Sequence, residues 1–335
     1  RKRTRPVAVW MQTKEAEAAA TPAVSIAKID VSAPQNNDSM LLLVRLTVLG
    51  VAAMYGTNFG SVKIIQEFLP TDVAASLRFS LAAVALLPLL RTLKKEAILP
   101  GLQVGFLTGC GYLAQGLGLE SADASTAAFL CSLGVVVCPL LDVFIGKSVE
   151  SRSWIAALLA VAGAGVLELG GVKPPGSGDL WDLVQPLAFG SSFWLTEQTL
   201  RRCPDQAGPL TSLQIGTVAF MSLFWTWCDN KLGPQEIAAI QTALQHQSVA
   251  VAVIWTGLAT TALSVLLETW ALKRLSSAET TVLFSTEPIW GLAFASVALG
   301  EQLSWNTFLG GGLILAACAS TFTGGQSGSD SKGSQ

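Results

Sequence analysis

Charge is scarce in this chain. Lys, Arg, Asp and Glu together make up 13% of its 335 residues, where a soluble domain averages about a quarter. The net charge of −2 is close to neutral and the basic residues are scattered, so the footprint of a nucleic-acid-binding protein is missing. Histidine is scarcer still: His246 stands alone in a polar connector, which leaves imidazole acid–base and metal chemistry almost without material. The six cysteines form no CxxC pair and fall mostly inside apolar runs, where they read as small packing residues. A GxxxxGK[ST] phosphate loop is absent, which excludes energy from bound nucleotide. No paired carboxylates at a defined spacing and no nucleophile with an evident base can be found. These absences argue against an enzyme, a cofactor and a metal centre.

What the chain has in quantity is apolar sequence. Hydrophobic residues make up 51% of it and its mean hydropathy is +0.51. Apolar runs recur from Met40 to Phe322 with short connectors between them, each near the roughly twenty helical residues that cross a hydrocarbon core of about 30 Å. Ten such segments are expected, over 41–60, 72–90, 98–119, 124–145, 153–169, 180–200, 207–228, 248–272, 278–299 and 305–322. The lipid bilayer is therefore the first partner. In the longest connector, EIAAIQTALQHQ has helical spacing with one apolar face and is expected to lie along the membrane interface.

Residues 1–39 differ in kind. They open RKRTRPVAVW and continue without apolar periodicity, which suggests a disordered arm that is either a transit-peptide remnant or a cytosolic tail. The Gly/Ser-rich residues 324–335 are expected to be a disordered tail. With ten crossings, the connectors on the side of the termini hold Arg91, Lys94, Lys95, Lys147, Arg152, Arg201, Arg202, Lys273 and Arg274, against Lys63, Lys173 and Lys231 opposite. The positive-inside rule then puts both termini in the cytosol, or in the stroma if the membrane is that of a plastid. The arm favours a plastid membrane; plasma or vacuolar membrane is the alternative.

The chain also repeats itself. Residues 124–162 superpose without gaps on 278–316, so that Ala124 falls on Ala278, Thr126 on Thr280, Val143 on Val297, Gly146 on Gly300 and Leu159 on Leu313. With five helices in each half, an odd number, the two copies enter the membrane in opposite senses. Such an inverted repeat is the architecture of alternating-access transporters, with the site near the midplane.

Particular stretches sharpen this. YGTNFGSVK, ASLRFSLAAVALLP, STAAFLCSLGVVVCPLL, ALKRLSSAETTVLFSTEPIWGLAFASVALGEQLS and GGGLILAA resemble the EamA family of the drug/metabolite transporter superfamily, over nearly the whole chain outside the tails. The strongest elements are Glu287-Pro288 and Gly300-Glu301; the first half reads Gly146-Lys147 where the second has Gly300-Glu301. The resemblance implies an all-α membrane protein of ten transmembrane helices, in two inverted five-helix repeats at 40–170 and 180–323 joined by a linker at 171–179. It implies a central cavity and secondary transport of a small organic metabolite by alternating access, coupled to a proton or a counter-solute. A homodimer is compatible with it. It does not imply which metabolite. The rival reading is a non-transporting membrane scaffold subunit of a larger complex.

Ionisable groups inside an apolar span are functional candidates because they cost several kcal/mol unless paired or hydrated. Glu287 sits beside Pro288, whose missing N–H frees an upstream carbonyl, and could hold a cation or a proton; alternatively it pairs with Arg78. Arg78 could attract an anionic solute, or snorkel and pair structurally. Glu197 and Glu268 could touch solute, or form ion pairs with Arg201 and Lys273, as Asp142 could with Lys147. Tyr55, Asn58, Gln115, Trp194, Gln198, Trp255 and Trp290 fall on helices expected to surround the cavity. Trp181 and Trp305, at helix ends, belong to the interfacial belt. Gly101, Gly105 and Gly109, four apart, are expected to pack helices closely.

Overall fold

A computed structural model describes residues 37–122, 124–168, 176–231, 233–299 and 305–322. The chain divides into Arg1–Ser39 and Met40–Gln335, and the architecture below is that of the second unit. The N-terminal arm up to residue 36, most of the linker with Lys173, the Gly300-Glu301 pair and the C-terminal tail lie outside the described residues.

Every regular element among the described residues is a helix, as expected where no water satisfies backbone groups and each segment must bond within itself. Helix α1 runs Asn37–Gln66, longer at both ends than the apolar run alone indicates. Pro70 then stands at the N-cap of α2, Thr71–Leu86, with Asp72 in its first turn facing the positive end of the helix dipole. A 3₁₀ turn over Leu87–Thr92, set by Pro88, extends it. Helix α3 is Lys95–Gly118. Its glycine stripe lies on the neighbouring span: a Cβ on Gly101 would meet Leu213, one on Gly105 would come within 2.8 Å of the Gln214 carbonyl, and one on Gly109 would meet Met221.

The fourth apolar run is two helices, α4 (Ala124–Ser132) and α5 (Gly134–Phe144), broken at Leu133. Gly146 follows at φ +79°, and the Lys147 N–H reaches back to the Asp142 carbonyl at 2.9 Å, a C-terminal cap that glycine adopts at no steric cost. Helix α6 is Ser151–Glu168. The short α7 (Ser177–Asp182) leads into α8 (Val184–Arg202), and α9 is Ala207–Cys228. The amphipathic connector is helical as α10, Pro234–Gln245. Its Ala243 and Ile240 pack on Ile65, Leu69 and Val73, while Ile237 and Leu244 stay exposed.

Helices α11 (Gln247–Ile254) and α12 (Ser264–Ala271) are joined by a π-helical stretch, Trp255–Leu263. Helix α13 (Ser277–Phe284) starts on a Ser276 cap whose side chain accepts from the Glu279 N–H. It breaks at Ser285 and Thr286 before α14 (Glu287–Leu299), and α15 is Trp305–Phe322.

Among the described residues, six helical spans are long and apolar enough to cross a membrane: Ser39–Gln66, Thr71–Thr92, Lys95–Gly118, Thr126–Phe144, Pro204–Cys228 and Gln247–Ala271. Ser151–Val166 and Phe308–Ser320 are apolar but shorter. The remaining expected crossings miss that standard for visible reasons: α8 carries Gln185, Glu197, Gln198 and two arginines, and α13 and α14 are each short because of the break between them.

The largest core cluster joins Val44, Val48 and Val51 of α1 to Ala156, Ala160 and Ala164 of α6, Leu283 of α13 and Ile314 of α15. Outward-facing Phe106, Phe144, Leu158, Phe220 and Leu309 are all more than half exposed, an apolar exterior suited to lipid tails. Trp181 and Trp305 are exposed as well.

Candidate functional site

The two broken helices correspond. In the gapless register of the repeat, Leu133 falls on Glu287 and Gly134 on Pro288, so the two copies are interrupted within two residues of each other. Pro288 explains the second break, since it can donate no backbone hydrogen bond; the first has glycine there instead. Each break is met by a glycine. A Cβ on Gly56 of α1 would lie 2.8 Å from both the Glu287 carbonyl oxygen and the Gly291 nitrogen, and one on Gly190 of α8 would lie 2.6 Å from Val137 and 3.2 Å from the Gly134 carbonyl. Backbone at these points approaches closer than any side chain allows.

Between the breaks lies a narrow cavity of about 60 Å³. Ser132 and Gly134 border it on one side, Ser285 and Glu287 on the other. Aromatic wall comes from Tyr55, Tyr112, Phe189, Phe193 and Phe284, in edge and tilted contacts at centroid distances of 5.0 Å for Tyr112 with Phe189, 5.5 Å for Phe193 with Phe284 and 5.6 Å for Tyr55 with Phe284. Polar wall comes from Asn58, Thr108, Gln115, Gln214 and Glu268.

The Tyr55 hydroxyl donates to Glu268 Oε2 at 2.8 Å. Asn58 is bonded through both ends of its amide: its Oδ1 accepts from Arg78 Nη1 at 3.3 Å and from Thr260 of the π-helical stretch at 2.8 Å, and its Nδ2 donates to Gln115 Oε1 at 3.2 Å. The chain continues through Gln115 Nε2 to Gln185 Oε1 at 3.2 Å and through Gln185 Nε2 to Asp182 at 2.5 Å. Buried polar groups of this kind are costly unless bonded.

Of the residues singled out in the sequence, the structure brings Tyr55, Asn58, Gln115, Glu268 and Glu287 together on the cavity wall. Glu287 forms no side-chain hydrogen bond or ion pair among the described residues, and Arg78 is not its partner. Arg78 is buried behind Asn58, its guanidinium 4.2 Å from the Phe79 ring centroid and 5.4 Å from that of Tyr112. Glu268 bonds Tyr55 rather than Lys273. Glu197 is held by Arg201 at 2.7 Å and accepts the Ser277 N–H, also at 2.7 Å, and Asp142 pairs with Lys147 at 3.0 Å.

The remaining candidates stand away from the wall. Trp194 donates to Asp142 at 2.9 Å, and Trp255 donates to Thr57 at 2.8 Å. Trp290 is 42% exposed, and the Gln198 side-chain nitrogen is buried without a partner. Sequence reading missed Tyr112, Phe189, Phe193 and Gln214. Gln214 was findable, as an amide in the middle of an otherwise apolar span. The aromatics were not, because lipid-facing and cavity-facing rings look alike in a sequence.

Two vestibules flank the cavity. One, of about 1160 Å³, is lined by Lys63, Gln66, Glu67, Asp72, Asp229 and Lys231 among others. Lys231 bonds Asp72 at 2.8 Å and Asp229 at 3.3 Å, and the Asp72 hydrogen bond holds its amine above the ordinary lysine range. The other, of about 1000 Å³, includes Arg45, Glu150, Arg274 and Glu279, with Arg45 paired to Glu279 at 2.8 Å. At 1.5 Å per helical residue, Arg45 and Gln66 of α1 are about 30 Å apart and Tyr55 is midway.

Toward the first vestibule the way is narrowed by Gln66, whose Nε2 donates to the Gly116 carbonyl at 2.9 Å and to Thr71 at 3.2 Å, and by Thr71, which donates to Glu120 at 2.5 Å. Toward the second, Phe193, Phe284 and the Glu197–Ser277 bond stand in the way.

The description "EamA-like transporter family" matches this chain twice, over residues 42–169 and 176–323. Tyr55-Gly56 and Phe189-Gly190 fall at the same distance from the starts of the two matches. An uncharacterized transporter of Archaeoglobus fulgidus is 24% identical over 267 residues, covering 80% of this chain and 82% of that protein. A crystal structure covered over 96% of its length aligns with 84% of this chain at a TM-score of 0.62 and 17% identity, a likeness of fold.

Proposed function

This chain belongs to the EamA-like transporter family and is a multi-pass integral membrane transporter, and from that premise we propose that it moves a small organic metabolite by alternating access through the cavity between its two broken helices. The observation that carries this reading is the position of that cavity. It is walled by both breaks and lies midway along α1 between vestibules about 30 Å apart. Inverted-repeat transporters place discontinuous helices at such a midplane site and expose it to one side at a time.

In this reading the chain makes ten crossings in two inverted five-helix repeats, with α13 and α14 forming one interrupted crossing as α4 and α5 do. Tyr55, Asn58, Gln115, Glu268 and Glu287 face the solute, and Arg78 sets the position of Asn58. Transport is secondary, coupled to a proton or a counter-solute. Both termini lie on the cytosolic or stromal side, with a plastid envelope or thylakoid as the membrane favoured by the N-terminal arm; imaging of the tagged full-length protein tests that placement.

The function itself is tested by counterflow in proteoliposomes against a panel of amines, amino acids, organic acids and sugar phosphates. Saturable exchange of a panel member, lost in Glu287→Gln protein that remains folded, is the expected result. No flux of any member would remove transport in favour of a scaffold role.

A further inference from the structure

Resting on the transport reading of the central cavity, we infer that its solute is an organic cation, an ammonium or alkylamine carried on a flat apolar body. The ground is a census of what the wall offers. Most of its hydroxyl donors are already spent, and each of its amides has one of two N–H groups committed. Ser132 donates to the Phe129 carbonyl at 2.6 Å, Ser285 to that of Val282 at 2.6 Å and Thr281 to that of Ser277 at 2.9 Å. Tyr55 donates to Glu268, Asn58 to Gln115, Gln115 to Gln185, and Gln214 to Thr108. The Tyr112 hydroxyl and the second N–H of each amide are the exceptions.

The acceptors, by contrast, are open. Glu287 has neither carboxylate oxygen bonded among the described residues, Glu268 uses only Oε2, and Gln214, 1% exposed, leaves its Oε1 without a partner. A buried acceptor without a donor costs about 1–3 kcal/mol, so this wall is completed by a ligand that brings N–H groups.

Charge points the same way. Glu268 and Glu287 line the same cavity, and among the described residues no Lys or Arg lines it. The nearest buried cation, Arg78, is directed at Asn58 and the Phe79 and Tyr112 rings and borders a separate space of about 270 Å³. An anionic solute would find two carboxylates and no counter-charge. A cation would find both, together with five aromatic rings, whose faces attract positive charge and pack against an apolar body.

Three compounds of nearly one shape isolate the head group: phenethylamine, phenylalanine and 3-phenylpropionate. Their binding to the purified full chain in lipid nanodiscs is measured by titration calorimetry, with empty nanodiscs as the blank. Phenethylamine is expected to bind saturably, and at least about tenfold tighter than the zwitterion or the anion, as one charge-assisted hydrogen bond implies. Glu287→Gln and Glu268→Gln are each expected to weaken phenethylamine about tenfold with the helical circular dichroism unchanged. Because the head-group comparison is made on the unaltered protein, it stands even if a variant fails to fold.

Equal or tighter binding of phenylalanine or 3-phenylpropionate would overturn the inference, as would full phenethylamine affinity in a folded Glu287→Gln. Proteoliposome exchange of an anionic or neutral solute without amine binding would also overturn it, while leaving the transport reading in place. Absence of any flux removes that reading separately.

Discussion

The two interrupted helices of this protein share a scaffold and differ in chemistry. The breaks lie within two residues of each other in the repeat's register, each is approached by a glycine from another helix, and each places a serine on the cavity wall. Yet the first break carries Leu133 where the second carries Glu287, and the cavity's other carboxylate, Glu268, belongs to the second half as well. The first half instead supplies the bonded amide relay from Asn58 to Gln115 and on to Gln185 at the second half's edge. The comparison teaches that pseudo-symmetry here sets the geometry of the break, while charge is placed on one side only. A rigid, bonded wall faces a wall with unmet acceptors.

The largest expected effect breaks that asymmetry directly. Glu287→Gln is expected to lower exchange in proteoliposomes about 100-fold or more, because a charge-bearing group in a water-poor site acts at low effective dielectric. Leu133→Met at the matching position is expected to stay within about twofold, since the volume is conserved. Equal losses at both positions would mean that the scaffold, and not the carboxylate, carries the effect.

Next come the glycine contacts. A Cβ on Gly56 would lie 2.8 Å from two backbone atoms of the second break, whereas one on Gly134 would meet the Pro186 carbonyl oxygen at 3.5 Å, an ordinary contact. Gly56→Ala is therefore expected to cost about 1–3 kcal/mol of stability, and Gly134→Ala less than about 0.5 kcal/mol. Thermal unfolding in detergent reads the difference.

The amide relay is expected to be structural. Gln115→Leu strands the Asn58 amide and the Gln185 carbonyl, both buried, and should cost about 1–3 kcal/mol by the same measurement. The smallest effect lies at the end of the first broken helix. Lys147, 44% exposed on its side chain, pairs with Asp142 at 3.0 Å, and Lys147→Ala should change stability by less than about 0.5 kcal/mol.

Much of this arrangement was legible before any coordinates. The apolar runs announced helices, and Glu287-Pro288 announced both a mid-span carboxylate and a break. The Leu133-Gly134 break was not legible on its own, because glycine in an apolar run also reads as packing; mapping it onto Pro288 was the available signal. The π-helical stretch that brings Thr260 to Asn58 leaves no trace in hydropathy, since its residues are as apolar and small as those of an α-helix. Nor could the tryptophans be sorted. Trp194, Trp255 and Trp290 occupy plausible cavity heights, but the direction of a side chain around a helix depends on which neighbours it packs against, a tertiary fact.

Alternating access is the central claim, and the most direct test needs no substrate. Spin labels at Glu67 and Asp229, exposed positions lining the first vestibule, and in a second sample at Glu150 and Arg274, lining the other, report each mouth by electron–electron distance measurement in nanodiscs on a cysteine-replaced background. The account predicts two distance populations at each mouth, with the long one at the first rising under conditions where the long one at the second falls. A single, unchanging distance at both mouths across pH and added solutes would contradict it.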